Sequence, residues 1–174
     1  TGRSLDVPVQ FLLDEFCNIG HIPDFTKKLS TMRSRGIGCS IVFQNIGQLK
    51  DYYPGNGWET ILGDCDTWVV LGAKDKLSAE YIEKVLGYGT IETESISVER
   101  GKLFDMGRVT VSPAARELMQ LSEVLRLGRD EQIVITAHSK PARLKKLDFS
   151  EHPWAGELEP QPISRYIPDW AKEW

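Results

Sequence analysis

Residues 7–16 read VPVQFLLDEF, a run of apolar and β-branched side chains that stops on two adjacent carboxylates, Asp14 and Glu15. A short apolar run ending in polar residues predicts a strand covered on both faces, with the acids at its tip. CNIGHIP follows, and Gly20 and Pro23 mark a loop. From Asp24 the period changes. Asp24 is placed as an N-cap, and Phe25, Leu29 and Met32 fall at i, i+4 and i+7, which predicts one apolar helix face. That helix should end near Gly36, where a missing Cβ permits the left-handed conformation.

Beyond it, CSIVFQ (39–44) reads as a second strand stopping on a polar residue, and NIGQLKDYY as a short helix closed by Pro54, Gly55 and Gly57. WETILGDCD supplies another helical turn before a third strand, TWVVLG (67–72). Asp75 then caps a helix running through Leu86, with a stripe of Leu77, Tyr81, Ile82, Val85 and Leu86 and a stop at Gly87. GTIETESISV (89–98) alternates as an edge strand or arm would, and ERGKLFDMGR reads as a loop. SPAARELM (112–119), with Ser112 as cap and Pro113 at the first helical position, predicts a helix. LSEVLRLG predicts another, and EQIVITAH (131–138) and ARLKKLDF (142–149) close the domain as strands.

Alternating strands and helices of this kind imply an α/β fold with a mostly parallel sheet flanked by helices. Residues 1–149 form the expected domain, and 150–174 an extended tail, because Pro153, Pro160, Pro162 and Pro168 interrupt any period there. Trp154, Trp170 and Trp174 suggest that the tail docks on something.

Composition narrows the function. With 174 residues, 41% of them hydrophobic, the chain can bury a core. No stretch approaches a membrane span, and no basic-then-apolar leader begins the sequence, so a soluble chain is expected. Cys17, Cys39 and Cys65 lie far apart, without the spacing of a zinc site or a disulfide framework. His21, His138 and His152 are equally scattered. A net charge of -4 argues against a surface that grips nucleic acid by charge alone, although Lys140, Arg143, Lys145 and Lys146 make a local basic cluster.

In mostly parallel sheets ligands bind beyond the carboxyl ends of the strands, where Asp14, Glu15 and Gln44 are expected. An apolar strand ending in Asp-Glu is the pattern of a Walker B strand in P-loop ATPases. Magnesium prefers hard oxygen ligands and keeps several waters, so Asp14 could hold it, and Glu15 could orient or deprotonate the water that attacks a γ-phosphate. The same acids could instead cap a turn. Gln44 fits a γ-phosphate sensor on the neighbouring strand, or an Asn-Gln turn that caps the next helix. Arg33 and Arg35 sit at a helix end, where they would suit the helix dipole or serve as an arginine finger in a neighbouring subunit. The phosphate-wrapping pattern GxxxxGK[ST] does not occur in the sequence. Either the acids are not Walker B residues, or the chain is the C-terminal part of a larger enzyme.

Several segments in order carry a family resemblance: VQFLLDEFCNIGHIPDF, LSTMRSRGIGCSIVFQNIGQLKDYY, ILGDCDTWVVLGAKD, SAEYIEKVLGYGTIE and RELMQLSEV. Over about residues 7–149 the chain resembles the nucleotide-binding domain of type IV secretion coupling proteins, the TraG/TraD-like ATPases of bacterial conjugation. The resemblance implies a RecA-like motor domain in a membrane-anchored homohexamer at the cytoplasmic face of the inner membrane. There it would use ATP and Mg2+ to deliver DNA and its relaxase to the type IV secretion channel. By the resemblance, Asp14 serves magnesium, Glu15 water activation and nucleotide binding, and Gln44 nucleotide sensing. Arg33 matches the finger, with Arg35 as runner-up. The P-loop, the membrane anchor and a helical insertion are the parts of that pattern not found here. The expectation is a fragment that makes no membrane contact and is inactive by itself; the alternative is a non-catalytic α/β docking module for relaxase or channel components.

Overall fold

The computed structural model describes residues 5–97 and 108–158. The loop expected at 99–108 and the tryptophans Trp170 and Trp174 lie almost wholly outside them. The chain divides into two compact units, Thr1–Leu144 and Lys145–Trp174.

In the first unit, strand β1 (Val9–Leu13) and strand β2 (Ile37–Ile41) pair in parallel, Val9 opposite Ile37 and Leu13 opposite Ile41. Helix α1 (Phe25–Met32) connects them and tightens into a 3-10 turn, Arg33–Arg35, that ends on Gly36 at φ 74°. Asp24 does precede the helix, but it adopts φ 53° and its side chain bonds no backbone amide. Instead it pairs with Lys27 at 3.3 Å. Helices α2 (Ile46–Tyr52) and α3 (Gly57–Gly63) follow, then strand β3 (Thr67–Val70) and helix α4 (Lys76–Leu86). Strands β4 (Tyr88–Ser97) and β5 (Arg108–Glu117) form an antiparallel ribbon. Helix α5 (Leu121–Leu125), strand β6 (Glu131–Thr136) and strand β7 (Ala142–Lys145) complete the order. β3 pairs antiparallel with β6, in the sheet order β3-β6-β7.

The α/β class holds, while the strand pairings among the described residues are mixed: one parallel pair, with the β3–β6 and β4–β5 pairs antiparallel. One expectation fails outright. Residues 112–117 are not a helix but the last six residues of β5, each residue of which faces a partner on β4, and 118–119 follow the strand. Pro113 lies opposite Glu92, on a strand whose other edge carries no partner among the described residues, so its missing N–H costs no ladder bond.

Two apolar clusters hold this unit. The larger joins Phe16, Phe25, Ile46, Leu49, Tyr53 and Trp58 with Ile61 and Leu62, and Leu13, Cys39 and Ile41 of the parallel pair pack on it. The smaller gathers Ala79, Ile82 and Leu86 of α4 around Val124 and Ile133. The buried face of α4 is therefore Ser78, Ala79, Ile82 and Leu86, and the expected stripe members Leu77 and Val85 are exposed. Asp75 caps α4 by accepting the Ser78 N–H at 2.8 Å, and Glu83 ties α5 to it by accepting the Leu121 N–H at 2.6 Å. β1 also departs from expectation. Its Leu13 side packs on the larger cluster, but Leu12, on the other face, is 72% exposed.

The second unit contains two 3-10 turns, Phe149–Glu151 and Ala155–Glu157, the first capped by Asp148, whose carboxylate accepts the Ser150 N–H at 2.9 Å.

Candidate functional site

The site begins where β1 stops. The Val42 N–H donates to the Leu13 carbonyl at 2.9 Å, as in a regular parallel ladder. The next bond would then run from the Glu15 N–H to the Val42 carbonyl. Instead the Phe16 N–H makes it, at 2.8 Å. Asp14 and Glu15 together face Val42, a bulge of one extra residue, and Glu15 takes the left-handed conformation at φ 49°, ψ 43°.

Side-chain alternation explains the bulge. Leu13 faces the core, so an unbroken strand would turn Glu15 inward and Phe16 outward. With the extra residue the parity reverses: Phe16 is 1% exposed, and both acids are exposed. Phe16 then starts a 3-10 turn, Phe16–Asn18, in which Cys17 is also buried. Burial pushes the Cys17 thiol up from its ordinary range, so it packs as a small apolar group.

Around the acids the hydrogen bonds are local. Asp14 Oδ1 accepts the Glu15 N–H at 2.9 Å, and Glu15 Oε2 accepts the Asn18 side-chain amide at 2.9 Å. Neither carboxylate pairs with a cation among the described residues. The following loop is fastened from below. Phe16 stacks on Tyr53 at 5.6 Å, His21 lies 5.1 Å from the same ring, and Tyr53 Oη accepts the Ile22 N–H at 3.2 Å. Lys28 Nζ donates to the Pro23 carbonyl at 2.7 Å.

Gln44 follows β2, at the same end of the parallel pair as the acids, and is exposed. Its neighbour performs the capping: Asn45 Oδ1 accepts the Gln48 N–H at 2.8 Å. Ser78 Oγ, from α4, accepts the buried Ile46 N–H at 3.0 Å. Gln44 makes no side-chain hydrogen bond with another described residue. Sequence reasoning missed Asn18 and Ser78; Asn18 could have been found as an amide three residues past the acid, whereas nothing local announces Ser78.

Arg33 and Arg35 are elsewhere. They precede β2, at the opposite end of the pair, separated from the acids by a five-residue strand of about 13 Å. Arg33 is exposed and lies 3.7 Å from Asp66. The structure thus brings Asp14, Glu15 and Gln44 to one sheet end and leaves both arginines out. Asp14 Oδ2 and Glu15 Oε1, exposed and negative, suit a hard cation that keeps most of its water.

The family model described as Type IV secretory system Conjugative DNA transfer matches residues 2–162. A probable conjugal transfer protein TraG of Sinorhizobium fredii (strain NBRC 101917 / NGR234) is 32% identical over 143 residues, covering 82% of this chain and 22% of that protein. Protein VirD4 of Agrobacterium fabrum (strain C58 / ATCC 33970) is 24% identical over 148 residues, 85% of this chain and 22% of its own length. The chain therefore spans about a fifth of the length of such relatives. Among solved structures, the unbound bacterial conjugative coupling protein TrwBdeltaN70 superimposes with a TM-score of 0.68 at 17% identity, over 83% of this chain and 33% of that one. Plasmid coupling protein TrwB in complex with ADP and Mg2+ does so with 0.62 at 19%, over 83% and 32%. These two likenesses establish the α/β P-loop-type fold. No helix of the described residues is long and apolar enough to cross a membrane. With a family model covering nearly all of its length and a TraG relative at 32% identity, the chain belongs to the type IV secretory system conjugative DNA transfer family.

Proposed function

We infer that this chain is the acid-bearing part of a conjugative coupling ATPase, in which ATP hydrolysis delivers DNA and its attached relaxase to a type IV secretion channel. One observation carries the reading: the bulge after Leu13 presents two exposed acids at the same end of a parallel pair as the exposed amide of Gln44. Support for the nucleotide comes from TrwB, which has been seen with ADP and Mg2+ and with an ATP analogue.

Asp14 Oδ2 would hold Mg2+, directly or through water. When bound, the ion supplies positive charge against the phosphates. Glu15 orients a water for in-line attack on the γ-phosphorus and takes its proton, as the bond from that phosphorus to the β,γ-bridging oxygen breaks and ADP leaves with the electron pair. Gln44 donates its amide to the γ-phosphate and reports its loss. Arg33, exposed at the far end of the parallel pair, would reach the nucleotide of a neighbouring copy in a homohexamer, with Arg35 as the alternative. The assembled protein would sit at the cytoplasmic face of the inner membrane.

The test is Glu15→Gln in the full-length protein. It should lower Mg2+-dependent ATP turnover by orders of magnitude, to a small residual rate, and transfer with it, while assembly persists; unchanged turnover and transfer refute the motor reading. That outcome would favour a docking module for relaxase or channel components, the reading favoured by the apolar side chains that β1 exposes, Phe11 and Leu12.

A further inference from the structure

Glu15 is held by a residue that the motor reading does not use. Its Oε2 accepts one N–H of the Asn18 side-chain amide at 2.9 Å, and its Oε1 makes no hydrogen bond or ion pair with another described residue. Asn18 is a firm base for such a bond. It ends the 3-10 turn Phe16–Asn18, whose first two residues are buried in the larger cluster, and its own N–H donates to the Glu15 carbonyl at 2.6 Å. Glu15 is left-handed, at φ 49°, and its side chain reaches the Asn18 amide three residues on. Backbone and side chain of Glu15 are thus both fastened to Asn18.

Stability does not explain the contact. Both side chains are exposed, and a hydrogen bond between groups that water would otherwise satisfy contributes little to folding. The chemistry of the donor points elsewhere. A lysine or arginine at this position would hold the same oxygen but would neutralise the carboxylate. An amide fixes the direction and leaves the negative charge available to accept a proton.

We propose that Asn18 is a positioning residue for Glu15: it clamps Oε2 so that Oε1 faces the attacking water. This rests on the reading of Glu15 as the base. A carboxylate freed to rotate would lose the near-attack geometry, which predicts a fall in kcat of about ten- to hundredfold. Nucleotide binding, which Asn18 does not touch in this account, should be unaffected.

The experiment measures kcat and KM for MgATP in the full-length protein carrying Asn18→Ala, Asn18→Asp, Glu15→Gln, and Asn18→Ala combined with Glu15→Gln. Asn18→Asp keeps the size of the side chain and replaces its donor by an acceptor, so it separates loss of the bond from loss of packing. Expected are a reduced kcat with KM within twofold of wild type for both Asn18 variants, and no further loss when Asn18→Ala is added to Glu15→Gln. Wild-type kcat in Asn18→Asp overturns the proposal, as does an independent loss in the double variant, or a KM that rises in step with a lower melting temperature. Should Glu15→Gln itself turn over normally, the base assignment falls, and this proposal with it. An inactive Glu15→Gln beside an active Asn18→Ala removes the clamp alone.

Discussion

Replacing Glu15 by glycine and, separately, by alanine isolates the backbone strain of the bulge from the chemistry of the carboxylate. Glu15 sits at φ 49°, ψ 43°, where a Cβ crowds the following carbonyl. Both substitutions remove the bond to Asn18, so that contribution cancels between them. What remains is the left-handed penalty, about 1–2 kcal/mol for alanine and near zero for glycine. Against it stands the extra freedom of glycine in the unfolded chain, about 0.4–1 kcal/mol. The difference leaves Glu15→Gly more stable than Glu15→Ala by about 0.8 kcal/mol at mid-range, between extremes of about 0 and 1.6 kcal/mol. For a chain of this size the mid-range difference is about 1–4 °C in melting temperature. Urea unfolding of the two variants side by side, with equal slopes confirming a common unfolded state, measures it. An alanine variant more stable than the glycine variant would show that residue 15 is not held left-handed, and the parity argument for the bulge would go with it. Both variants should lack ATP turnover in the full-length protein, so the more stable one gains nothing in activity.

Ser78→Ala leaves the buried Ile46 N–H without its acceptor and should cost about 1–3 kcal/mol in urea unfolding. Asn45→Ala removes the cap of α2 and should cost about 1 kcal/mol, with faster amide exchange at Gln48. The Glu131 carboxyl is held below its ordinary value of 4.5, first by the Arg143 hydrogen bond and then by the Gly128 N–H. A depressed folded value means that its stabilisation is fully present above that ordinary value and is lost as pH falls through the lower folded one. Unfolding free energies measured from neutral pH downwards should therefore fall less steeply in Glu131→Gln than in the wild type.

Elements specified by neighbouring residues were legible before any coordinates. The cap at Asp75, the stop at Gly87 and the length of α4 between them depend only on bonds within that helix. β2 was expected at 39–44 and runs Ile37–Ile41, because the chain enters the strand directly after Gly36 ends the preceding turn. The helix expected at 112–119 failed for a non-local reason. Ser-Pro is a sound helix start, but its competitor was a strand some twenty residues earlier that pairs with every residue of β5. The exposed face of β1 was illegible for a similar cause: periodicity reports that residues are apolar, and says nothing about what covers them.

The acids were legible as residue types at a strand end, whereas the bulge that presents them was not inferred, although its signal is in the sequence. Leu13, Asp14, Glu15 and Phe16 run apolar, polar, polar, apolar, and a strand of period two cannot bury both Leu13 and Phe16. One residue must be absorbed between them. Burying a phenylalanine side chain contributes about 1.5–3 kcal/mol, against about 1–2 kcal/mol for one residue held left-handed. The core therefore wins, and the strain falls on Glu15. The consequence for the site is directional: the pull of Phe16 into the cluster beside Phe25 and Tyr53 is what turns Glu15 outward, so the packing of an aromatic ring sets the exposure of the carboxylate next to it.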